Sequence, residues 1–119
     1  MNNNIFSYTF LHTASSQMPV ISIDPRFQTV TEGDSVEFRC SATGSPQPEL
    51  RWFGGQGGVM NPESSFVDGV FRILRVTKAD EAEYFCEASN PAGNVQIRTV
   101  LYVAGMCVVL YKCGILCLL

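Results

Sequence analysis

Residues 80–90 read Asp80-Glu81-Ala82-Glu83-Tyr84-Phe85-Cys86-Glu87-Ala88-Ser89-Asn90. Ala82, Tyr84, Cys86 and Ala88 fall on one side of a period-two pattern, with Glu83 and Glu87 on the other. That alternation predicts a half-buried strand. Ser35 to Thr43 repeats it, with Val36, Phe38, Cys40 and Ala42 on one face and Glu37, Arg39 and Ser41 on the other. Between the two segments, Leu50 and Trp52 face inward around Arg51. Cys40 and Cys86 each sit in the middle of an alternating run, far apart in the chain. They are candidates for a buried disulfide, which implies an oxidising compartment; two unbonded core thiols are the alternative.

Working outward, strands alternate with turn residues at short intervals. Val20, Ile21 and Ile23 lead into Asp24-Pro25, where pairing stops because proline has no N–H to donate. Phe27 to Thr31 reads as an edge strand, turned by Glu32-Gly33-Asp34. Gly44 to Pro48 reads as a loop. The run Gly54 to Gly58 reads as a flexible turn, and 59–68 as irregular, with one short edge strand around Ser65 to Val67. Phe71, Ile73 and Val76 form the next inward set. Asn90-Pro91-Ala92-Gly93 has the composition of a tight turn. Ile97, Thr99, Leu101 and Val103 close the pattern. No segment here keeps a 3.6-residue period, so the fold class is all-β.

The chain has 119 residues, 46% hydrophobic and 16% charged, enough for one domain with a packed core. A net charge of −3 and a pI near 5.0 give no basic excess, so nucleic acid is not expected as a partner. The single histidine, His12, lies outside the patterned region, which leaves no imidazole base inside it. The glycine run lacks a following Lys-Ser/Thr and precedes no helix, so it is not a phosphate loop. No cofactor and no metal are expected. Cys107, Cys113 and Cys117 lie in an apolar setting without histidine, which makes zinc a poor reading.

The Cys40…Trp52…Cys86 framework, with Asp80-x-Ala82-x-Tyr84-x-Cys86, resembles the I-set immunoglobulin domains. The likeness covers 20–103. It implies an antiparallel β-sandwich with one inter-sheet disulfide, Cys40–Cys86. Trp52 then packs on the sulfurs, Tyr84 is the corner tyrosine whose hydroxyl bonds back to nearby backbone, and Asp80 lies at the turn into that strand. More narrowly, Ser35 to Pro48, Gly54 to Gly58, Asp68 to Ile73 and Ala88 to Gly93 resemble the tandem immunoglobulin repeats of perlecan-like basement-membrane proteoglycans. That resemblance implies a non-catalytic, extracellular structural and binding module whose partners are matrix proteins and neighbouring repeats. The alternative is the ectodomain of a membrane-tethered adhesion molecule or receptor. The chain has no Ser-Gly dipeptide for glycosaminoglycan attachment, no Arg-Gly-Asp and no Asn-x-Ser/Thr acceptor.

Strand parity puts Arg39 and Arg72 outward on one sheet with Arg75 near its end, a stripe able to contact sulfated glycans. Glu37 shares that face and offsets the charge, so a solvated surface is the competing reading. Glu87, Asn90 and Asn94 flank the last turn, and Phe53 and Tyr102 are expected to point outward. Residues 1–19, without Lys or Arg, read as a linker or an artefactual leader. Residues 104–119 form an apolar tail, read as a truncated membrane anchor, a buried extension or a fragment artefact.

Overall fold

The computed structural model describes residues 16–105 in full and the backbone of 107–110 and 114–117. Two four-stranded sheets pack face to face. The first orders β1 (Gln17–Asp24), β3 (Val36–Ser45), β6 (Val70–Ile73) and β5 (Ser65–Val67) as β1-β3-β6-β5. The second orders β2 (Phe27–Thr31), β8 (Gly93–Ala104), β7 (Ala82–Asn90) and β4 (Glu49–Gly54) as β2-β8-β7-β4.

Alternation in sequence becomes layering in space. Val36, Phe38 and Cys40 are buried from β3, Phe71 and Ile73 from β6, Tyr84, Cys86 and Ala88 from β7, and Leu101 and Val103 from β8. Their rings meet across the gap: Phe71 lies 4.9 Å from Tyr84 and 5.4 Å from Trp52, centroid to centroid. Each large apolar side chain buried this way contributes about 1.5–3 kcal/mol. Register follows suit, with Phe38 opposite Phe71 and Trp52 opposite Cys86.

Three departures from the sequence reading have local causes. Not all pairing is antiparallel, because β2 runs parallel to β8, Phe27 facing Val100. The chain crosses from one sheet to the other at Asp24-Pro25 without reversing, so β2 keeps the direction of β1. Secondly, β3 continues through Gly44 to Ser45, since Gln17 pairs with Ser45 and draws the loop residues into the ladder. Thirdly, β5 and β6 form a hairpin closed by Asp68-Gly69, with Val67 opposite Val70. Both turn residues are left-handed (φ 52 and 80), the geometry that a two-residue hairpin connection favours. A Cβ at Gly69 would overlap the Cys40 carbonyl oxygen, so this turn needs glycine on two grounds.

Of the proposed leader, 1–15 falls outside the described residues. The side chains of the apolar tail beyond residue 105 do too, including Cys107, Cys113 and Cys117. Its backbone contributes β9 (Cys107–Leu110) and β10 (Gly114–Cys117), paired antiparallel. Among the described residues no helix is long and apolar enough to cross a membrane.

Candidate binding surface

The framework residues converge between the sheets. Cys40 on β3 is bonded to Cys86 on β7, with Cα atoms 6.5 Å apart. Trp52 is 6% exposed and belongs to the same cluster. Its indole N–H donates to the Gly69 carbonyl at 3.1 Å, and the Cys40 amide donates to that oxygen at 2.9 Å. Sequence reading named Trp52 but passed over Gly69; the Asp-Gly pair between β-formers was the available signal.

The Tyr84 hydroxyl donates to the Asp80 carbonyl at 2.6 Å, closing the corner. Burial, with the Asp80 charge as a second cause, pushes the phenol up to about 12. The Asp80 side chain, 5% exposed, works separately. Its carboxylate accepts the Thr77 amide at 2.8 Å, the Thr77 hydroxyl and the Asn61 amide at 3.1 Å. This is a capping box on the short 3₁₀ turn Lys78–Asp80. Asn61 escaped sequence reading, since nothing in a segment without periodicity links it to a residue 19 positions away. Glu81 then ties this turn to β8: its carboxylate accepts the Val103 amide at 2.8 Å and the Lys78 ammonium at 3.0 Å.

Two outward faces remain for partners. On the β1-β3-β6-β5 face, Arg39 and Arg72 flank one carboxylate. Arg39 meets Glu37 Oε1 at 2.8 Å, and Arg72 grips Oε2 through Nε at 2.9 Å and through a second nitrogen. The Arg72 hydrogen bond, then the charges of Arg72 and Arg39, hold the Glu37 carboxyl below its ordinary value. Arg75 stands apart, exposed beyond β6 and without an ion-pair partner among the described residues.

The β2-β8-β7-β4 face combines rings and charges. Phe53 stacks on Phe85 at 5.4 Å, and the Arg51 guanidinium lies 4.8 Å above the Phe53 ring. Arg51 also pairs with Glu87 at 2.9 Å, and Gln96 donates to the second Glu87 oxygen. The hydrogen bond from Arg51 holds Glu87 below its ordinary value, with Gln96 contributing next. Further along, Phe27 (63% exposed) meets Tyr102 (48% exposed) edge-on at 6.4 Å. Phe53 and Tyr102 were named from parity; Phe27 and Phe85 complete the face once strand order brings them alongside.

Asn90, expected beside a partner-binding turn, is bound within the domain. Its side-chain amide donates to the carbonyls of Gln17 and Pro46 at 2.8 and 2.9 Å, clasping β1 to the loop after β3. Its carbonyl oxygen accepts the Ala92 amide. Among the described residues no group of His, Cys, Asp and Glu has an arrangement suited to a metal ion.

Known proteins share this framework. The profile of the immunoglobulin domain matches residues 18–90. The mouse basement membrane-specific heparan sulfate proteoglycan core protein is 39% identical over 78% of this chain and 2% of its own length. Drosophila melanogaster neuroglian is 29% identical over 77% of this chain and 7% of its own. The chain therefore spans only a small part of these curated relatives. Among solved structures, the tandem Ig repeats of Dlar superpose with a TM-score of 0.67 at 32% identity, covering 76% of this chain and 50% of that one. A chimeric titin Z1Z2 gives 0.66 at 31% identity, covering 77% and 99%. With two facing sheets, the Cys40–Cys86 bridge and the Tyr84 corner in place, the chain belongs to the immunoglobulin domain family.

Proposed function

We propose that this chain is a non-catalytic structural and binding module of the extracellular matrix, one repeat of a perlecan-like array. The domain proper is 20–103, with 1–19 and 104–119 as flanking segments. The carrying observation is the identity of 39% over 78% of the chain to a basement-membrane proteoglycan, against 29% to neuroglian. The use of the acidic groups supports a mechanical role. Asp80 caps a turn, Glu81 ties that turn to the last sandwich strand, and Glu37 and Glu87 pair with arginines. The partners proposed are adjoining immunoglobulin repeats and matrix proteins, with Arg39, Arg72 and Arg75 as a secondary contact for sulfated glycans.

A cell-surface adhesion ectodomain is the second reading. It is favoured by the similarity to neuroglian and to glycosylphosphatidylinositol anchor proteins containing a MAM domain. Fractionation of cells expressing the tagged full chain separates the two. The matrix reading expects the chain in the detergent-insoluble, salt-extractable deposit beneath the cells. Recovery in carbonate-resistant membranes would replace it with the adhesion reading.

A further inference from the structure

The chain holds four aspartates, and in three of them either the following residue or the carboxylate's own partners oppose attack on the side chain. Asp24 precedes Pro25, whose nitrogen carries no hydrogen. The Asp34 carboxylate accepts the Thr31 amide at 3.2 Å, and Ser35 follows it. Asp80 is buried and saturated with donors. Asp68 is the one aspartate followed by glycine, and it combines that neighbour with an uncommitted carboxylate. It is exposed, its backbone is left-handed (φ 52), and among the described residues its carboxylate has no hydrogen bond or ion pair. Gly69 follows, with no side chain to shield its nitrogen. Among the described residues the Gly69 N–H donates to no acceptor, although its carbonyl takes two donors.

A peptide nitrogen that donates to no acceptor, next in the chain to an uncommitted carboxyl, favours intramolecular attack because the encounter entropy is already removed. We propose that Asp68-Gly69 is a spontaneous modification site at which aspartate becomes isoaspartate through a cyclic imide. The Gly69 nitrogen attacks Cγ of the protonated Asp68 carboxyl, forming a C–N bond. The amide proton is lost and the carboxyl hydroxyl leaves as water. A second water then adds to the Asp68 main-chain carbonyl carbon. That carbon's bond to the Gly69 nitrogen breaks and the nitrogen regains a proton. The chain now runs through Cγ, and the former main-chain carbonyl has become the free carboxylate. One water leaves and one enters, with no oxidant or reductant.

The change reaches the core through one oxygen. Isoaspartate lengthens by one methylene a two-residue turn that keeps Val67 opposite Val70 and aims the Gly69 carbonyl at Cys40 and Trp52. A longer turn pulls that carbonyl off the indole, so the modification is read out at Trp52, the only tryptophan in the chain.

The test incubates the folded full chain at neutral pH and physiological temperature. Peptide mapping that separates aspartate from isoaspartate is run alongside tryptophan fluorescence. Isoaspartate is expected at position 68 and not at 34 or 80, with a transient species lighter by one water and a Trp52 emission shift in step. Asp68→Glu, which needs a larger ring, keeps both signals constant; should that variant not fold, mapping of the wild-type chain decides. Conversion of Asp68 only in denaturant, or equal conversion at Asp34, overturns the proposal. Conversion without any emission change overturns the coupling to Trp52.

Discussion

The indole of Trp52 and the carbonyl of Gly69, 17 residues apart, are joined by a hydrogen bond of 3.1 Å. The bond links β4 in one sheet to the β5–β6 turn in the other. The same oxygen holds the Cys40 amide, so ring, turn and disulfide strand are fixed at a single point.

Trp52→Phe removes the donor and part of the ring volume. A loss of about 2–3 kcal/mol is expected, from the missing hydrogen bond and the space left behind. Urea unfolding followed by circular dichroism measures it. A midpoint equal to that of the wild type would show that the bond contributes nothing.

Cys40→Ala and Cys86→Ala each open a covalent loop spanning 46 residues. On the chain-entropy account the bridge stabilises the domain by about 4 kcal/mol, comparable to the whole margin of many small domains. Each variant is expected to melt far below the wild type, and reduction of the wild type should lower its Tm by a similar amount.

Stability is expected to fall at both ends of the pH scale, for opposite reasons. The Val103 amide, then Lys78, hold the Glu81 carboxyl below its ordinary 4.5. Its contribution is therefore full above pH 4.5 and lost as pH drops through the lowered folded value. Glu37 and Glu87 are lowered too and act in the same direction. Tyr84 is raised from 10.0 to about 12, so the fold favours the neutral phenol. That contribution is full below pH 10 and lost as pH rises from 10 to 12. Glu81→Gln should flatten the acid limb in part. Tyr84→Phe should cost about 1–2 kcal/mol at neutral pH through the lost hydrogen bond, and remove the alkaline limb. Thermal melts across pH supply the comparison.

Glu37→Gln removes the charge that neutralises Arg39 and Arg72 on their shared face. If the arginine stripe contacts sulfated glycans, this variant should elute from heparin at higher salt than the wild type, with Arg39→Ala/Arg72→Ala eluting earlier. Identical elution of all three would assign the stripe to solvent.

The fold was legible because its signals are local and periodic. A period of two in 35–43 and 82–88 states which residues are buried before any partner strand is known. The spacing of Cys40, Trp52, Tyr84 and Cys86 then matches one architecture. The outward position of Arg39, Arg72, Phe53 and Tyr102 follows from the same parity. The Asp68-Gly69 pair signals a turn, but not that the Gly69 carbonyl would meet Trp52 and Cys40, and Asn61 was not legible at all. Neither Gly69 nor Asn61 belongs to a periodic run, and both act through hydrogen bonds to distant residues. The inward role of Asn90 is not legible either, because turn composition says nothing about which backbone carbonyls come within its reach.

By itself the sequence determined the all-β class, the inward faces and the framework residues, because side-chain alternation is a property of each strand alone. Only the tertiary structure decided that β2 runs parallel to β8, that Glu37 joins Arg39 to Arg72, and that Phe27 meets Tyr102. Those relationships depend on which strands lie side by side. Strand order is set by the packing of two whole sheets, and no single segment encodes it.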